Sequence, residues 1–205
     1  MASCQAIIGS MIKAITFDLD GVYFTAESFP RFVNKFPDPD KAMQVLKRSN
    51  EMADFKLGKM SEIDYWDYVR KELAVPYSNE EIFTMLRDSY EVNQQVREFE
   101  LEIRARGIKT CICTNNFLTR IRELDKKFDF LKDFDVKVIS CEVGVAKPGK
   151  EIFEELVRQT GCEANEIIYA DDNESSYKSA LSIGINSFLY TDFDDFKKNC
   201  LNALG

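Results

Sequence analysis

Five short apolar runs, each ending in polar or turn-forming residues, most strongly limit the folds open to this 205-residue chain. Each run has the length of a strand, and together they cover residues 12–17, 108–113, 135–139, 166–170 and 185–189. Segments with helical periodicity separate or follow the last four runs, at 117–130, 148–160, 173–183 and 192–203. Because strands that alternate with helices form a parallel sheet covered on both faces, the pattern predicts an α/β fold with a doubly wound parallel sheet.

The interval between the first and second runs is too long for a single crossover helix. About 85 residues, from Val22 to Arg106, contain helical patterns and no convincing strand. These patterns lie at 39–48, 61–74, 79–89 and 93–106. We therefore predict a small helical cap domain inserted at residues 24–91, and a core domain built from 11–23 and 92–205. Aromatic residues are expected to fill a small core of this insert: Tyr65, Trp66, Tyr68, Phe83 and Tyr90.

Charge and hydropathy argue against several classes of partner. The net charge of -8 and the pI of about 4.8 do not suit nucleic acid, whose phosphates are bound by clustered Lys and Arg. No apolar stretch approaches the roughly 20 residues of a membrane span. We expect a small-molecule partner, neither nucleic acid nor a membrane, and a monomer or homodimer.

The cysteines and the first residues favour a cytoplasmic location. Six cysteines occur at irregular spacings, with no Cys-x-x-Cys pair, and the chain has no histidine. This pattern argues against a zinc site and for buried, reduced thiols. Residues 1–10 lack the basic start of a signal peptide, and we interpret them as a flexible leader.

Two aspartates, Asp18 and Asp20, follow the first apolar run with Gly21 directly behind them. In an extended segment alternate side chains share a face, so the two carboxylates would point the same way. Like charges that close repel each other unless a cation lies between them, and Mg2+ prefers such oxygen ligands. Since the chain has no histidine, carboxylates must also carry any acid–base chemistry.

Further polar clusters follow the later runs, and ligands of doubly wound sheets bind at the carboxyl ends of the strands. The clusters are Thr114-Asn115-Asn116 after the second run, Lys147 in the loop after the third, and Asp171-Asp172 after the fourth. Any one of them has an ordinary explanation as a strand end or helix cap. With the Asp18–Asp20 pair there are four such clusters at one edge of the sheet. The ordinary explanation would have to hold independently for each of them, so a shared site is the better interpretation.

These residues resemble the four motifs of the haloacid dehalogenase-like hydrolase superfamily: the DxDGV motif from Asp18 to Val22, then Thr114, Lys147, and the Asp171-Asp172 pair. Order and spacing match as well as residue type, from Met11 to about Tyr190. The helical insert is similar to the superfamily's α-helical cap type. The segments around Lys147 and around Tyr169–Ser175 are similar to those of small sugar-phosphate phosphatases, although this closer match is much less specific.

The resemblance implies roles for the first two motifs. Asp18 would be the nucleophile and form an aspartyl-phosphate. Asp20 would act as general acid and then base through its carboxyl group, and its main-chain carbonyl would bind the metal. Thr114 would donate a hydrogen bond to a phosphoryl oxygen, with the main-chain amide of Asn115 as a second donor. The role of Asn116 stays open.

The last two motifs would complete the site. Lys147 would hold the nucleophile and the phosphate by charge. Asp172 would bind Mg2+, and Asp171 would assist directly or through water. For Asn173 the favoured interpretation is a cap of the following helix.

The function predicted from the resemblance is Mg2+-dependent hydrolysis of a phosphate monoester of a small metabolite, such as a sugar phosphate. Dehalogenases of this fold lack a carboxylate at the Asp20 position, because they have no leaving oxygen to protonate. A phosphomutase and a catalytically silent binding protein of the same fold stay open as alternatives. A bacterial receiver domain is set aside, because its acidic pair comes first and it has no cap. Candidate specificity residues are Tyr23, Phe24, Glu27, Lys56, Lys59, Trp66 and Tyr90.

Overall fold

A computed structural model of the protein describes residues 11–205, so the predicted leader at 1–10 lies outside the described residues. The strands are β1 (Ala14–Phe17), β2 (Lys109–Thr114), β3 (Val136–Ile139), β4 (Ile167–Asp171) and β5 (Asn186–Leu189). All neighbouring strands pair in parallel, in the order β3-β2-β1-β4-β5, with β1 at the centre. The predicted doubly wound parallel sheet is confirmed, and every strand lies within one or two residues of its predicted run.

Helices cover both faces of the sheet because successive strand residues point to opposite sides. These helices are α6 (Gln94–Ala105), α7 (Leu118–Phe128), the short α8 (Ser140–Val143), α9 (Lys150–Thr160), α10 (Glu174–Ser182) and α11 (Phe193–Leu204). On one face Ile15 and Phe17 pack in a buried cluster with residues of α6, α7 and α11. On the other face Ala14 belongs to a second cluster with residues of α9 and α10. Within residues 11–205, no helix combines the length and apolar character needed to cross a bilayer.

The segment between β1 and α6 consists of helices and connecting turns. Its helices are α1 (Ser28–Val33), α2 (Pro39–Met43) with a π-helical continuation over Gln44–Arg48, α3 (Asn50–Lys56), α4 (Glu62–Leu73) and α5 (Asn79–Ser89). Asp38 and Ser61 cap α2 and α4 by accepting hydrogen bonds from backbone amides of the first turn. The helices predicted at 39–48, 61–74 and 79–89 are therefore confirmed, whereas the short α1 and α3 had not been predicted.

The aromatic residues of the insert are buried as expected, apart from the half-buried Tyr68, but they do not form a core of their own. They belong to the same buried cluster that covers one face of the sheet. Phe117, directly before α7, makes the connection: its ring centroid lies 4.5 Å from that of Phe55 and 6.1 Å from those of Tyr65 and Trp66. The insert is thus packed onto the sheet through a shared apolar core.

Candidate active site

A cavity of about 380 Å³ opens at the carboxyl ends of the central strands, between the sheet and the insert. The apolar residues of the strands pack in the two buried clusters. The polar residues that follow at the carboxyl ends of the strands lie beside this cavity. The structure brings all seven predicted site residues to the wall of this one cavity: Asp18, Asp20, Thr114, Asn115, Lys147, Asp171 and Asp172.

Lys147 lies at the centre of the buried charges. Its Nζ is 2.8 Å from Oδ1 of Asp18 and 2.7 Å from Oδ2 of Asp171, and all three side chains are nearly inaccessible to solvent. Burial alone would lower the pKa of Lys147, but the two carboxylates raise it above its ordinary value. The ammonium group therefore stays charged and holds the Asp18 carboxylate in a fixed position.

Burial also raises the pKa of Asp18 above its ordinary value, and the negative charges of Asp171 and Asp20 add to that effect. The attraction of Lys147 works in the opposite direction. The site thus contains more negative charge than Lys147 alone can balance, which is the electrostatic condition for binding a cation.

Both carboxylate oxygens of Asp171 already have partners in the protein. Oδ2 accepts hydrogen bonds from Lys147 Nζ and from the hydroxyl group of Tyr169, and Oδ1 accepts one from the backbone amide of Asn173 at 2.7 Å. These contacts suit a residue that positions Lys147. Direct metal binding by Asp171 stays a prediction.

Asp172 reaches the loop after β1 because that loop contains Gly21. Gly21 has a φ of +83°, and a Cβ atom added to it would lie 2.3 Å from Oδ2 of Asp172. A side chain at this position would therefore displace the Asp172 carboxylate. One carboxylate oxygen each from Asp18, Asp171 and Asp172 lies within 4.8 Å of the others, a spacing at which a single divalent cation could bridge them.

The main-chain carbonyl of Asp20 offers a further oxygen. The neighbouring carbonyls of Asp18 and Leu19 accept hydrogen bonds from the amides of Tyr23 and Phe24. Across residues 11–205, no backbone amide donates to the Asp20 carbonyl. The donor set of carboxylates and one free carbonyl fits a hard cation such as Mg2+.

The Asp20 carboxylate has contacts different from those of Asp18. It forms an ion pair with Arg120 from the first turn of α7, and it accepts a hydrogen bond from the Tyr90 hydroxyl at 3.3 Å. The Arg120 guanidinium also lies 4.8 Å from the centroid of the Tyr90 ring. Asp20 remains 38% exposed, whereas Arg120 is buried. Asp20 is thus oriented at the cavity wall while its carboxylate stays accessible.

Asn115 acts on Lys147 through its side chain. Its Nδ2 donates to the Lys147 carbonyl and its Oδ1 accepts from the Lys147 amide, both at 2.8 Å. This pair of hydrogen bonds anchors the loop that carries the lysine. Asn116 is buried and accepts from the amide of Phe117. Asn173 caps α10 as predicted, by accepting from the amides of Ser175 and Ser176.

The structure places only one of the seven candidate specificity residues on the cavity wall, and this is Lys56. Glu27 and Lys59 are exposed elsewhere. Tyr23, Phe24 and Trp66 are buried in the core, and Tyr90 reaches the site only through Asp20 and Arg120.

Sequence reasoning missed other residues of the wall. Arg120 looks like any solvated cation of an amphipathic helix, and only its position facing Asp20 reveals its role. Lys47, Phe29 and Met43 lie in helical segments with no motif around them. These residues can be recognised as part of the cavity wall only from the packing of the insert over the sheet.

Comparison with known proteins agrees with this geometry. A family model described as haloacid dehalogenase-like hydrolase matches residues 12–184. Bifunctional epoxide hydrolase 2 of Sus scrofa is 23% identical over 205 residues, a match that covers 89% of this chain but only 37% of that protein. The chain thus spans little more than a third of that relative's length.

Two solved structures illustrate the structural similarity. A HAD family enzyme of Bacteroides thetaiotaomicron, in complex with magnesium and inorganic phosphate, has a TM-score of 0.73 at 19% identity, covering 87% of this chain and 93% of that one. L-2-haloacid dehalogenase from Xanthobacter autotrophicus has a TM-score of 0.62 at 17% identity, covering 86% of this chain and 76% of that one. At these identities the likeness concerns the fold alone.

Proposed function

The chain belongs to the haloacid dehalogenase-like hydrolase family, and on that basis we propose that it is a Mg2+-dependent phosphatase that hydrolyses a phosphate monoester of a small metabolite. The observation that carries this proposal is the arrangement of Asp18 and Asp20. One carboxylate is buried against a lysine, and the other is accessible at the cavity wall.

Asp18 is the proposed nucleophile. Lys147 fixes its Oδ1 at 2.8 Å, which leaves Oδ2 to attack phosphorus. The bond between phosphorus and the ester oxygen breaks, and an aspartyl-phosphate forms on Asp18. Lys147 balances charge on both the nucleophile and the phosphoryl group. Thr114, which lines the cavity at the end of β2, is the proposed donor of a hydrogen bond to a phosphoryl oxygen.

Asp20 is the proposed general acid and base. Its carboxyl group gives a proton to the leaving oxygen, and the resulting carboxylate then takes a proton from the water that attacks the aspartyl-phosphate. This second step releases inorganic phosphate and regenerates Asp18. The ion pair with Arg120 holds this carboxylate at the cavity wall, and it has to open for the acid step.

The presence of Asp20 favours a phosphatase over a dehalogenase, because a halide leaving group requires no proton. The fold does not discriminate, since the structural neighbours include both a phosphate-bound enzyme and a dehalogenase. The choice of a phosphatase over a dehalogenase therefore rests on the Asp20 carboxyl group within the site.

Asp18, Asp172 and the carbonyl of Asp20 would hold Mg2+, with Asp171 beside them. When bound, the ion supplies positive charge that neutralises the phosphoryl oxygens. The cavity of about 380 Å³ lies within the size range of small-molecule sites, which supports a small metabolite as substrate.

The test is a phosphatase assay with purified protein and Mg2+ on an aryl phosphate and a panel of phosphorylated metabolites. We expect Mg2+-dependent release of phosphate that EDTA abolishes. Asp18→Asn should abolish turnover without altering the circular dichroism spectrum. Near-normal activity of that variant would rule out the aspartyl-phosphate, and no turnover of any ester would favour a binding protein.

A further inference from the structure

Two lysines of the insert, Lys47 and Lys56, line the cavity without a carboxylate partner among the described residues. Lys47 lies in the π-helical turn after α2, and Lys56 is the last residue of α3. Both contribute to the cavity wall from the insert, Lys47 as an exposed residue and Lys56 as a half-buried one. Most lysines at a protein surface are simply solvated, so these two require a closer account.

The carboxylates on the cavity wall are already engaged. Asp18 and Asp171 contact Lys147, and Asp20 is paired with Arg120. Asp172 belongs to the acidic group assigned to the metal. None of these carboxylates forms an ion pair with Lys47 or Lys56, so the insert contributes two cations to the cavity wall that have no ion-pair partner among residues 11–205.

Lys56 is held in place by contacts of its own backbone with the core. The Ser140 hydroxyl lies 2.6 Å from the Lys56 carbonyl oxygen. Two residues later, Gly58 has a φ of +69°, and a Cβ atom there would lie 2.4 Å from the backbone carbonyl oxygen of Cys141. The end of α3, including the backbone of Lys56, is thus fixed against the segment that follows β3.

Keeping a charge at this position is unfavourable for the protein alone. Burial, together with the like charges of Arg120 and Lys47, lowers the pKa of Lys56 to about 8, and the attraction of Asp20 only partly opposes this. A half-buried lysine without a partner destabilises a fold, so its presence on a cavity wall favours a function in binding.

The surroundings of Lys47 complete the subsite. Its Nζ lies 5.7 Å from the centroid of the Phe29 ring, and the Arg120 guanidinium lies 5.5 Å from the same centroid. Phe29 and Met43 contribute apolar surface to the same wall. Such a wall can contact a short carbon skeleton whose charged end meets the lysines.

We propose that the leaving group of the substrate carries a second anionic group, a carboxylate or another phosphate, which is bound by Lys47 and Lys56. This inference rests on the proposed phosphatase function and narrows its substrate class. The phosphoryl group that reacts already has Lys147, Thr114 and the proposed metal site as partners. The two lysines of the insert are therefore available for a charge at the other end of the molecule.

The experiment compares three esters that share a two-carbon leaving group, with the full chain and Mg2+. Ethyl phosphate has no second charge, phosphoglycolate adds a carboxylate, and ethylene glycol bisphosphate adds a phosphate. We expect kcat/KM for at least one anionic ester to exceed that for ethyl phosphate about tenfold to a hundredfold, the range of one or two charged hydrogen bonds. The anionic ester whose kcat/KM exceeds that of ethyl phosphate by the larger factor identifies the type of anion.

Variants assign this selectivity to the lysines. Lys56→Met and Lys47→Met should each lower the ratio of anionic to neutral ester about tenfold, because methionine keeps the apolar stem without the charge. Lys59→Met is the matched control, since Lys59 lies on the same insert, is exposed and does not line the cavity. Circular dichroism verifies folding, and Lys56→Gln replaces Lys56→Met if the latter does not fold.

A binding measurement supplies a second readout. Phosphonoacetate and methylphosphonate are each titrated into the wild-type protein in a buffer that contains Mg2+, and binding is measured by calorimetry. If the subsite binds a carboxylate, phosphonoacetate should bind about tenfold more tightly than methylphosphonate. A ratio near one for all anionic ligands, or a ratio unaffected by both lysine variants, would overturn the inference and leave the phosphatase proposal intact. No Mg2+-dependent turnover of any ester, including an aryl phosphate, would overturn both.

Discussion

Replacing Lys56 with methionine is expected to stabilise the fold. The pKa of this lysine falls from 10.5 to about 8 because the side chain is buried and lies near Arg120 and Lys47. At about 1.4 kcal/mol for each pH unit, that difference corresponds to roughly 3 kcal/mol of unfavourable free energy for the charged form. Lys56 keeps partial contact with solvent, which screens its charge, so we expect a gain of about 1 to 3 kcal/mol at pH 7.

The gain should depend on pH. The unfolded chain holds the Lys56 proton up to about pH 10.5, whereas the folded chain releases it near pH 8. Between these values the unfolded state binds more protons, so the free energy of unfolding of the wild-type protein rises with pH through this window. The methionine variant lacks this contribution. Its advantage is therefore complete below pH 8 and disappears as the pH approaches 10.5.

Urea denaturation at pH 7 and at pH 10 measures both effects. Trp66, the single tryptophan of the chain, is 1% exposed in the folded state, and its fluorescence reports unfolding. Lys59→Met should change the free energy of unfolding by less than about 0.5 kcal/mol, as is usual for an exposed site. If Lys56→Met were less stable than the wild type at pH 7, or equally stabilised at both pH values, the electrostatic reasoning would be refuted.

Three further substitutions test other contacts. Tyr169→Phe removes the hydroxyl group that donates to Asp171. This variant should have a kcat about five- to thirtyfold lower, with little change in KM. An unchanged kcat would mean that this hydrogen bond does not help to position Lys147. Gly21→Ala should raise the Mg2+ concentration for half-maximal activity at least about tenfold, because the added Cβ displaces the Asp172 carboxylate. If this variant needed the same Mg2+ concentration as the wild type, the proposed metal site would be contradicted. Phe117→Ala should lower the free energy of unfolding, measured by urea titration, by about 3 to 5 kcal/mol. A loss below about 1 kcal/mol would show that the packing of the insert on the sheet does not depend on this ring.

The sheet could be predicted from the sequence because its central strands β1 and β4 are buried on both sides. Such strands are mostly apolar runs with polar residues directly behind them, as in Ile15–Asp18. The short helices of the insert could not be predicted in the same way. The six residues of α1 include Pro30, and the seven residues of α3 span fewer than two full turns, too few for a periodic pattern.

The candidate site was predicted where its residues follow strands and missed where they lie on helices. Thr114 and Asp171 end their strands, Asp18 directly follows β1, and parallel strands bring their carboxyl ends together. Arg120 and Lys47 come to the cavity only through the packing of α7 and of the insert. Their partners are far away in sequence, so no local pattern distinguishes them from solvated residues.

Asn115 shows a different limit. The sequence placed it at the site as a source of a main-chain amide, whereas the structure shows its side chain bonded to both main-chain polar groups of Lys147. A local sequence pattern indicates which residues are near a strand end. It does not indicate which of their polar groups are already used within the protein.

The packing of Phe117 against Phe55, Tyr65 and Trp66 has an evolutionary consequence. A cap with a core of its own could be exchanged between relatives as a module, and a new substrate range could be acquired in one recombination event. Here a transplanted insert would arrive without the Phe117 ring against which its aromatic residues pack. Changes of substrate range in this lineage are therefore expected to proceed by point substitutions on the cavity wall, at positions such as Lys47, where the apolar core is not disturbed.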